Sequence, residues 1–179
     1  MTDLPRRAAV LCAAALICTA ATDVNAWSFA FPSIEEGRLD FSSLKDRVLL
    51  VVNTASFCGF TYQYEALEKL HASLEPKGLT VIGMPSQDFG QESGTDGAVK
   101  AFCEATFGVQ FPMTGLLHVK GPQANDFHRW VRAQRNWEPT WNFNKVLIGR
   151  DGTIRSLYRS EDEPTGSKLT RAIDDALKA

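Results

Sequence analysis

Cys58 is the residue of this chain whose surroundings most clearly suggest chemistry. It lies between residues 47–53, a Val-rich apolar run that predicts a buried strand, and a predicted helix that begins near Thr61. The N–H groups at a helix start carry partial positive charge and favour a thiolate, the nucleophilic form of cysteine. Gly59 leaves room for a small molecule beside the sulfur. An inert core cysteine would fit the same position, because free cysteine is often buried.

The elements that would position Cys58 alternate between strands and helices. Apolar runs predict strands at residues 47–53, 78–84, 113–119, 143–148 and 153–158, and helical periodicity predicts helices at 61–74, from the Thr95 cap to 107, at 124–134 and at 167–177. Residues 150–152 read as a hairpin turn, and alternating aromatics at 27, 29 and 31 predict a strand that pairs with residues 39–41. This order predicts an α/β fold with helices on both faces of the sheet.

Composition excludes several classes of protein. The 179 residues include 19 Lys and Arg against 21 Asp and Glu, for a net charge of −2, with 44% hydrophobic and 22% charged residues. These proportions are typical of a folded domain and not of a disordered chain. No basic run exceeds two residues, so nucleic-acid binding is not expected. The absence of a C-x-x-C motif argues against a general disulfide oxidoreductase, and the three widely spaced histidines do not predict a metal site.

Residues 1–26 have the features of a secretory signal peptide. Arg6 and Arg7 form a positive head, residues 8–21 are apolar or small, and Val24 and Ala26 fit the pattern that precedes a cleavage site. The apolar run is shorter than the ~20 residues needed to span a bilayer, although an uncleaved N-terminal anchor is the alternative. We therefore predict a periplasmic or secreted protein without stable membrane association after cleavage, formed by one domain over residues 27–179.

Four segments follow one another in an order typical of a known family. They are residues 53–64 (NTASFCGFTYQY), 84–92 (MPSQDFGQE), 111–112 (FP) and 141–152 (WNFNKVLIGRDG). Together they resemble the glutathione peroxidase family, and most closely its short, cysteine-containing bacterial branch, over residues 41–176. The resemblance implies a thioredoxin-like fold with a central mixed sheet flanked by helices. It also implies reduction of hydrogen peroxide and organic hydroperoxides by a thiol, as part of an oxidative stress response.

The resemblance assigns roles to individual residues. Cys58 stands at the position of the peroxidatic cysteine, whose thiolate attacks the O–O bond and becomes a sulfenic acid. Trp141 and Asn142 match a Trp-Asn pair whose indole and amide N–H groups point at the sulfur, and such donors stabilise a thiolate. The family's chemistry needs neither a cofactor nor a metal.

One position departs from the family pattern. Asp88 stands where family members usually carry a glutamine beside the sulfur, and Gln87 stands at the neighbouring asparagine. A carboxylate there would disfavour the thiolate through like-charge repulsion. Three explanations are open: Asp88 is protonated and donates a proton or hydrogen bond, Asp88 turns away toward a cation, or Gln87 supplies the amide.

The fate of the oxidised sulfur depends on Cys103, which would be the second cysteine of the mature domain. In thioredoxin-dependent relatives, a cysteine on the helix after the second motif condenses with the sulfenic acid, so Cys103 is a candidate resolving residue. It could equally be a core cysteine on the apolar face of its helix. A thioredoxin-like reductase would serve the first case and glutathione the second. The short segment between residues 127 and 141 lacks the assembly loop of tetrameric relatives, so we expect a monomer.

A second hypothesis uses the same sulfur differently. The protein would be a peroxide sensor or relay, in which Cys58 is oxidised and passes the oxidation to a partner protein with little turnover.

Overall fold

The computed structural model describes residues 24–179, so most of the predicted signal peptide lies outside the described residues. The strands are β1 (Ala30–Pro32), β2 (Arg38–Asp40), β3 (Val48–Thr54), β4 (Leu79–Pro85), β5 (Lys145–Ile148) and β6 (Ile154–Tyr158). The helices are α1 (Gln63–Leu74), α2 (Asp96–Phe107), α3 (Asp126–Arg135) and α4 (Ser167–Lys178).

The central sheet is mixed and has four strands in the order β4-β3-β5-β6. β3 pairs in parallel with β4, from Val48 opposite Leu79 to Thr54 opposite Pro85, and antiparallel with β5. β5 and β6 form the predicted antiparallel hairpin. Every residue of β3 is buried, because both faces of this central strand are covered, which explains its unbroken apolar sequence.

Two cores lie on opposite faces of the sheet. Val48, Leu50 and Val52 of β3 pack with buried residues of α1, α2 and α4. The alternate residues Leu49 and Val51 pack with α3 and with aromatic residues of the N-terminal segment. The alternation follows from the period of two in a strand. This arrangement confirms the predicted α/β architecture with helices on both faces.

The N-terminal pairing differs slightly from the expectation. Trp27 lies in a short 3₁₀ helix (Ala26–Ser28) rather than in a strand, while Phe31 of β1 pairs opposite Leu39 of β2. Farther along, Thr95 caps α2 as predicted, because its Oγ1 accepts a hydrogen bond from the N–H of Ala98 at 3.3 Å.

The strand predicted at residues 113–119 was wrong. Only isolated bridges form there, at Met113 and Thr114. Two backbone N–H groups that a strand would donate to a neighbouring strand donate to carboxylates instead. The N–H of Leu116 donates to Asp96, and the N–H of Val119 donates to Asp88. The segment is therefore held partly by side chains and partly by backbone hydrogen bonds to β4, since the N–H of Thr114 donates to the carbonyl of Gly83 and the N–H of Leu117 to that of Pro85, without a continuous strand ladder. Among the helices within residues 24–179, none is long and apolar enough to cross a membrane.

Candidate active site

Cys58 lies in the turn that connects β3 to α1. Its thiol is free and 4% exposed, whereas the neighbouring Phe57 is 65% exposed. The N–H of Phe60 is directed at the sulfur, with an N–Sγ distance of 3.4 Å, and the N–H and hydroxyl of Thr61 both donate to the carbonyl of Cys58. A backbone donor aimed at a sulfur favours its thiolate form. The turn therefore holds a thiol near the surface with a donor already in place.

Asn53, at the end of β3, attaches the Trp-Asn segment beside this turn. Its side-chain amide donates to the carbonyl of Trp141 at 3.0 Å, and its Oδ1 accepts from the N–H of Asn144 at 3.1 Å. Phe143, between them, has a positive φ of 59° and donates its N–H to the carbonyl of Asn53. Such a conformation is rare for an aromatic residue and persists only where surrounding contacts impose it. Asn53 thus brings residues 141–144 to the strand end that leads into Cys58.

Asn142 is fully buried and is connected to the Cys58 turn through Gln91. Its Nδ2 donates to Oε1 of Gln91 at 3.0 Å, and the main-chain carbonyl of Gln91 accepts from the N–H of Phe57 at 2.9 Å. Gln91 therefore contacts both the residue before Cys58 and the amide of Asn142. Sequence analysis did not select Gln91, although a second amide in the MPSQDFGQE motif was a visible signal.

Trp141 is 41% exposed and packs against Phe89, with ring centroids 5.5 Å apart. The ammonium of Lys120 lies 4.3 Å from the centroid of the Phe89 ring, a cation–π contact. Phe57 is a further exposed aromatic residue, adjacent to Cys58 in the chain, and its ring packs against Phe102. Large exposed aromatic side chains are typical of a binding surface.

Asp88 binds a different part of the chain. Its carboxylate accepts hydrogen bonds from the N–H groups of Val119 and Lys120, at 2.6 and 3.1 Å, and from Nδ1 of His118 at 2.6 Å. Burial alone would raise the pKa of Asp88, but these hydrogen bonds outweigh it and hold the pKa below its ordinary value. Of the three explanations for this position, the geometry matches the one in which Asp88 turns away, toward His118.

Gln87 is exposed, and its Nε2 donates to the carbonyl of Ser93 at 2.9 Å. Its amide therefore closes the loop between β4 and α2, whereas Gln91 is the glutamine of this loop that contacts Asn142.

Cys103 lies on α2 with its thiol free and 1% exposed. Burial raises the pKa of Cys103 to about 11, and the nearby carboxylates of Glu92 and Glu104 act in the same direction. The hydroxyl of Tyr64, which is also buried, faces the same thiol. In this conformation Cys103 is a core residue of α2 whose protonated form is favoured, and it forms no disulfide with Cys58.

Several buried polar atoms around the Cys58 turn lack a hydrogen-bond partner in the described part of the chain. They are Thr54 Oγ1, Ser56 Oγ, Tyr64 OH, Glu92 Oε2 and Asn142 Oδ1. The other oxygen of Glu92 accepts from the N–H groups of Ser56 and Ser93, and burial raises the pKa of this carboxyl. Unpaired buried polar atoms are rare and costly, so their concentration marks a functional region. Sequence analysis did not select Glu92, which has no local pattern to distinguish it.

Within residues 24–179, no group of three or more His, Cys, Asp and Glu side chains is arranged to hold a metal ion.

A mixed sheet flanked by helices, with a free thiol between a central strand and the next helix, defines a protein of the thioredoxin-like fold. A thioredoxin family thiol:disulfide interchange protein from Chlorobium tepidum superposes with a TM-score of 0.64 over 83% of this chain and 92% of its own, at 15% identity. The crystal structure of Trgpx in its apo form superposes with a TM-score of 0.69 at 31% identity, over 87% of this chain and 97% of its own.

The chain belongs to the glutathione peroxidase family, whose family model matches residues 26–132. A glutathione peroxidase homolog, BsaA, from Halalkalibacterium halodurans is 41% identical over 76% of this chain and 88% of its own. A hydroperoxy fatty acid reductase from Synechocystis is 34% identical over 82% of this chain and 93% of its own. The protein is accordingly an oxidoreductase, a thiol peroxidase that reduces hydroperoxides.

Proposed function

We propose that the protein reduces hydrogen peroxide and organic hydroperoxides through Cys58. The observation that carries the proposal is the turn around Cys58, where the N–H of Phe60 faces the sulfur and Gln91 connects the turn to Asn142. The thiolate attacks one peroxide oxygen and forms an S–O bond while the O–O bond breaks. The leaving oxygen takes a proton and departs as water or an alcohol, and Cys58 becomes a sulfenic acid. Donors from Trp141 and Asn142 stabilise the thiolate before attack.

Exposed aromatic side chains beside Cys58 and on the Trp141 segment support a peroxide that carries an apolar group. Phe57 and Trp141 are both exposed, and the Phe89 ring packs next to Trp141. Each Å² of apolar surface that a bound alkyl or acyl group removes from water contributes about 25 cal/mol to the free energy of binding. The Synechocystis relative acts, by its name, on hydroperoxy fatty acids. We propose that an alkyl or acyl hydroperoxide is reduced more efficiently than hydrogen peroxide.

Two reductants could regenerate the thiol, and they differ in what they require of Cys103. If Cys103 attacks the sulfenic sulfur, the S–O bond breaks, water leaves and a Cys58–Cys103 disulfide forms for a thioredoxin-like protein to reduce. If Cys103 remains in the core, a small thiol such as glutathione attacks the sulfenic sulfur of Cys58, the S–O bond breaks and water leaves a mixed disulfide, which a second thiol molecule reduces to free Cys58 and the oxidised small-thiol disulfide. The burial of Cys103 on α2 makes movement of that helix the decisive step.

Mass spectrometry after one equivalent of peroxide tests these proposals. Oxidation confined to Cys58, and lost in Cys58→Ser, is the expected first step. A Cys58–Cys103 disulfide then supports the thioredoxin-type cycle, and a persistent sulfenic acid supports an external thiol. Steady-state turnover with thioredoxin or glutathione completes the test, because a relay protein would oxidise once and turn over little. An unreactive Cys58 would overturn the proposal.

We also propose that the protein is exported, on the strength of the signal-like features of residues 1–26, and that it is a monomer, because the short segment between residues 127 and 141 lacks the assembly loop of tetrameric relatives. The end of this segment contacts the domain, since Trp130 donates to the carbonyl of Val24 and the N–H of Ala26 donates to the carbonyl of Gly152, each at 3.0 Å. Cleavage after Ala26 removes these bonds, whereas cleavage farther upstream retains them. N-terminal sequencing and size-exclusion chromatography of the exported protein test both proposals, and an unprocessed chain would contradict export by cleavage.

A further inference from the structure

Trp141 is presented by a turn over residues 140–144, which the Asn144 side chain closes. Asn144 Oδ1 accepts a hydrogen bond from the N–H of Thr140 at 3.2 Å. Phe143, inside the turn, has a φ of 59°, a conformation that an aromatic residue keeps only where surrounding contacts impose it. The position of the Trp141 indole therefore depends on the contacts that hold this turn in shape.

Arg159, which follows β6, binds the turn where it closes. Its Nη1 donates to Thr140 Oγ1 at 3.2 Å and to Asn144 Oδ1 at 3.3 Å. The same nitrogen donates to the main-chain carbonyl of Glu138 at 3.1 Å. One guanidinium nitrogen thus connects both ends of the turn to the segment that leads into it, across 15 to 21 positions of the chain.

These three contacts of the Arg159 guanidinium are to neutral oxygens and not to a carboxylate. The carboxylate of Glu138 pairs instead with Arg132, at 3.5 Å. The carboxylate of Asp162 pairs with Lys168 at 2.8 Å and accepts from the main-chain N–H of Arg159, also at 2.8 Å. A guanidinium presents its donors in a fixed planar geometry, whereas a lysine ammonium is a compact charge on a flexible stem. Arg159 is therefore suited to this place by the arrangement of its donors more than by its charge.

Trp141 is the residue of the turn that depends most on this support. Its side chain is 41% exposed, and its ring packs against Phe89 on one side. Asn142, by contrast, is fully buried, and its main-chain carbonyl accepts from the hydroxyl of Ser160 at 2.6 Å. Loss of a contact where the turn closes should therefore displace the Trp141 indole more than the Asn142 amide.

We propose that Arg159 is a positioning residue of the peroxidase reaction, which holds the 140–144 turn so that the indole N–H of Trp141 is directed at the Cys58 thiolate. The inference rests on the proposed function, in which Trp141 donates to that thiolate. Arg159 acts through the turn and has no direct role in breaking the O–O bond.

The test uses Arg159→Lys and Thr140→Val, with Arg155→Lys as the matched control. Lysine keeps the charge at position 159 without the planar fork, and valine removes one acceptor at an exposed position. Arg155 lies on the neighbouring β6 strand, where it pairs with the exposed Asp151 at 3.0 Å. Arg159→Lys should slow the oxidation of Cys58 by peroxide about tenfold, since a small misplacement of a reacting geometry is costly. Thr140→Val should slow it about threefold, and Arg155→Lys should stay within about twofold of wild type.

A double-mutant cycle with Trp141→Phe separates positioning from a merely structural role. Without the indole N–H, Arg159 has no donor to direct, so adding Arg159→Lys to Trp141→Phe should slow oxidation by less than about twofold. The pH midpoint of Cys58 thiolate absorbance should move upward in Arg159→Lys alone, and should stay at the Trp141→Phe value in the double variant.

Thermal unfolding is measured on the same variants. Arg159→Lys should lower the melting temperature by about 2–8 °C in both backgrounds, because that loss comes from the turn and not from the indole. If Arg159→Lys does not fold, the exposed Thr140→Val takes its place in the cycle.

Two results would overturn the inference. The first is a wild-type oxidation rate and thiolate midpoint in Arg159→Lys. The second is an equal loss of rate from Arg159→Lys with and without Trp141→Phe, which would mean that Arg159 stabilises the fold without directing the indole. A parent protein whose Cys58 does not react with peroxide would overturn the proposed function instead, and this is recognised before any change is made at position 159.

Discussion

The carboxylate of Asp88 accepts a hydrogen bond from Nδ1 of His118 at 2.6 Å, although the two residues are 30 positions apart in the chain. The same carboxylate accepts from the N–H groups of Val119 and Lys120. Asp88 thus fastens a separate loop, residues 118–120. Through Lys120 and Phe89, that loop reaches Trp141.

We expect Asp88→Asn to affect stability more than reactivity. Hydrogen bonds to a charged group contribute about 1.5–3 kcal/mol, and this carboxylate supports three of them. The free energy of unfolding at pH 7 should therefore fall by about 1–3 kcal/mol. The rate of Cys58 oxidation should stay within about threefold of the wild-type rate, which corresponds to a change of less than about 1 kcal/mol in the activation free energy.

The pH dependence of the Asp88→Asn effect follows from the pKa of Asp88, which lies below its ordinary value of 3.8 in the folded protein. The stabilisation is present above that ordinary value and is lost as pH falls through the folded pKa. Urea unfolding between pH 3 and 7 measures it, with the exposed Asp126→Asn as control. A large loss of Cys58 reactivity without loss of stability would contradict the structural role of Asp88.

Trp141→Phe should slow oxidation of Cys58 by about tenfold, because phenylalanine keeps an aromatic ring but lacks the indole N–H donor. The melting temperature should change little, since the Trp141 ring is 41% exposed. Trp137→Phe is the matched control, because that ring stacks on Arg159 at 5.1 Å and should leave the rate unchanged. Stopped-flow fluorescence during peroxide addition measures both variants, and equal rates in the two would refute a donor role for Trp141.

Cys103 should resist alkylation in the native protein while Cys58 reacts. Its pKa of about 11 and its burial leave about one thiolate in a thousand at pH 8. Brief treatment with iodoacetamide, followed by peptide mass mapping, should label Cys58 and spare Cys103 until urea is added. Equal labelling of both cysteines would show that α2 opens readily in the reduced protein.

Lys145 should make stability rise with pH in the alkaline range. Its ammonium is fully buried, donates to Gln63 and to the carbonyl of Phe143, and has its pKa lowered by burial to about 8. The pKa of Lys145 is lower in the folded chain than in the unfolded chain. Below about pH 8 the folded protein therefore carries the buried charge, which lowers the free energy of unfolding. As pH rises from about 8 to 10.5, Lys145 loses its proton in the folded protein, and the free energy of unfolding should rise by roughly 2–4 kcal/mol.

Lys145→Met should abolish this part of the alkaline rise. Chemical denaturation from pH 7 to 10.5 gives the difference from wild type at each pH, and the exposed Lys178→Met serves as control. A difference that stays constant across the range would mean that Lys145 does not titrate in the folded protein.

Local sequence patterns were sufficient for most of the fold. Strands β3 and β4 and helices α1, α2 and α4 lie within one or two residues of their predicted ranges. These elements are encoded by the period of apolar residues and by caps such as Thr95, which depend only on near neighbours. The same patterns placed Cys58 between a central strand and a helix, and its neighbours carried the family resemblance.

The connections that complete the site were decided by tertiary structure. The direction of the Asp88 side chain, the contact of Gln91 with Asn142 and the burial of Cys103 against Tyr64 each join segments that are far apart in the chain. Hydrogen bonds of this kind depend on distances and angles between folded elements, and periodicity carries no information about them. For this reason the sequence by itself named the thiol and its fold, whereas only the folded chain determined which side chains surround that thiol.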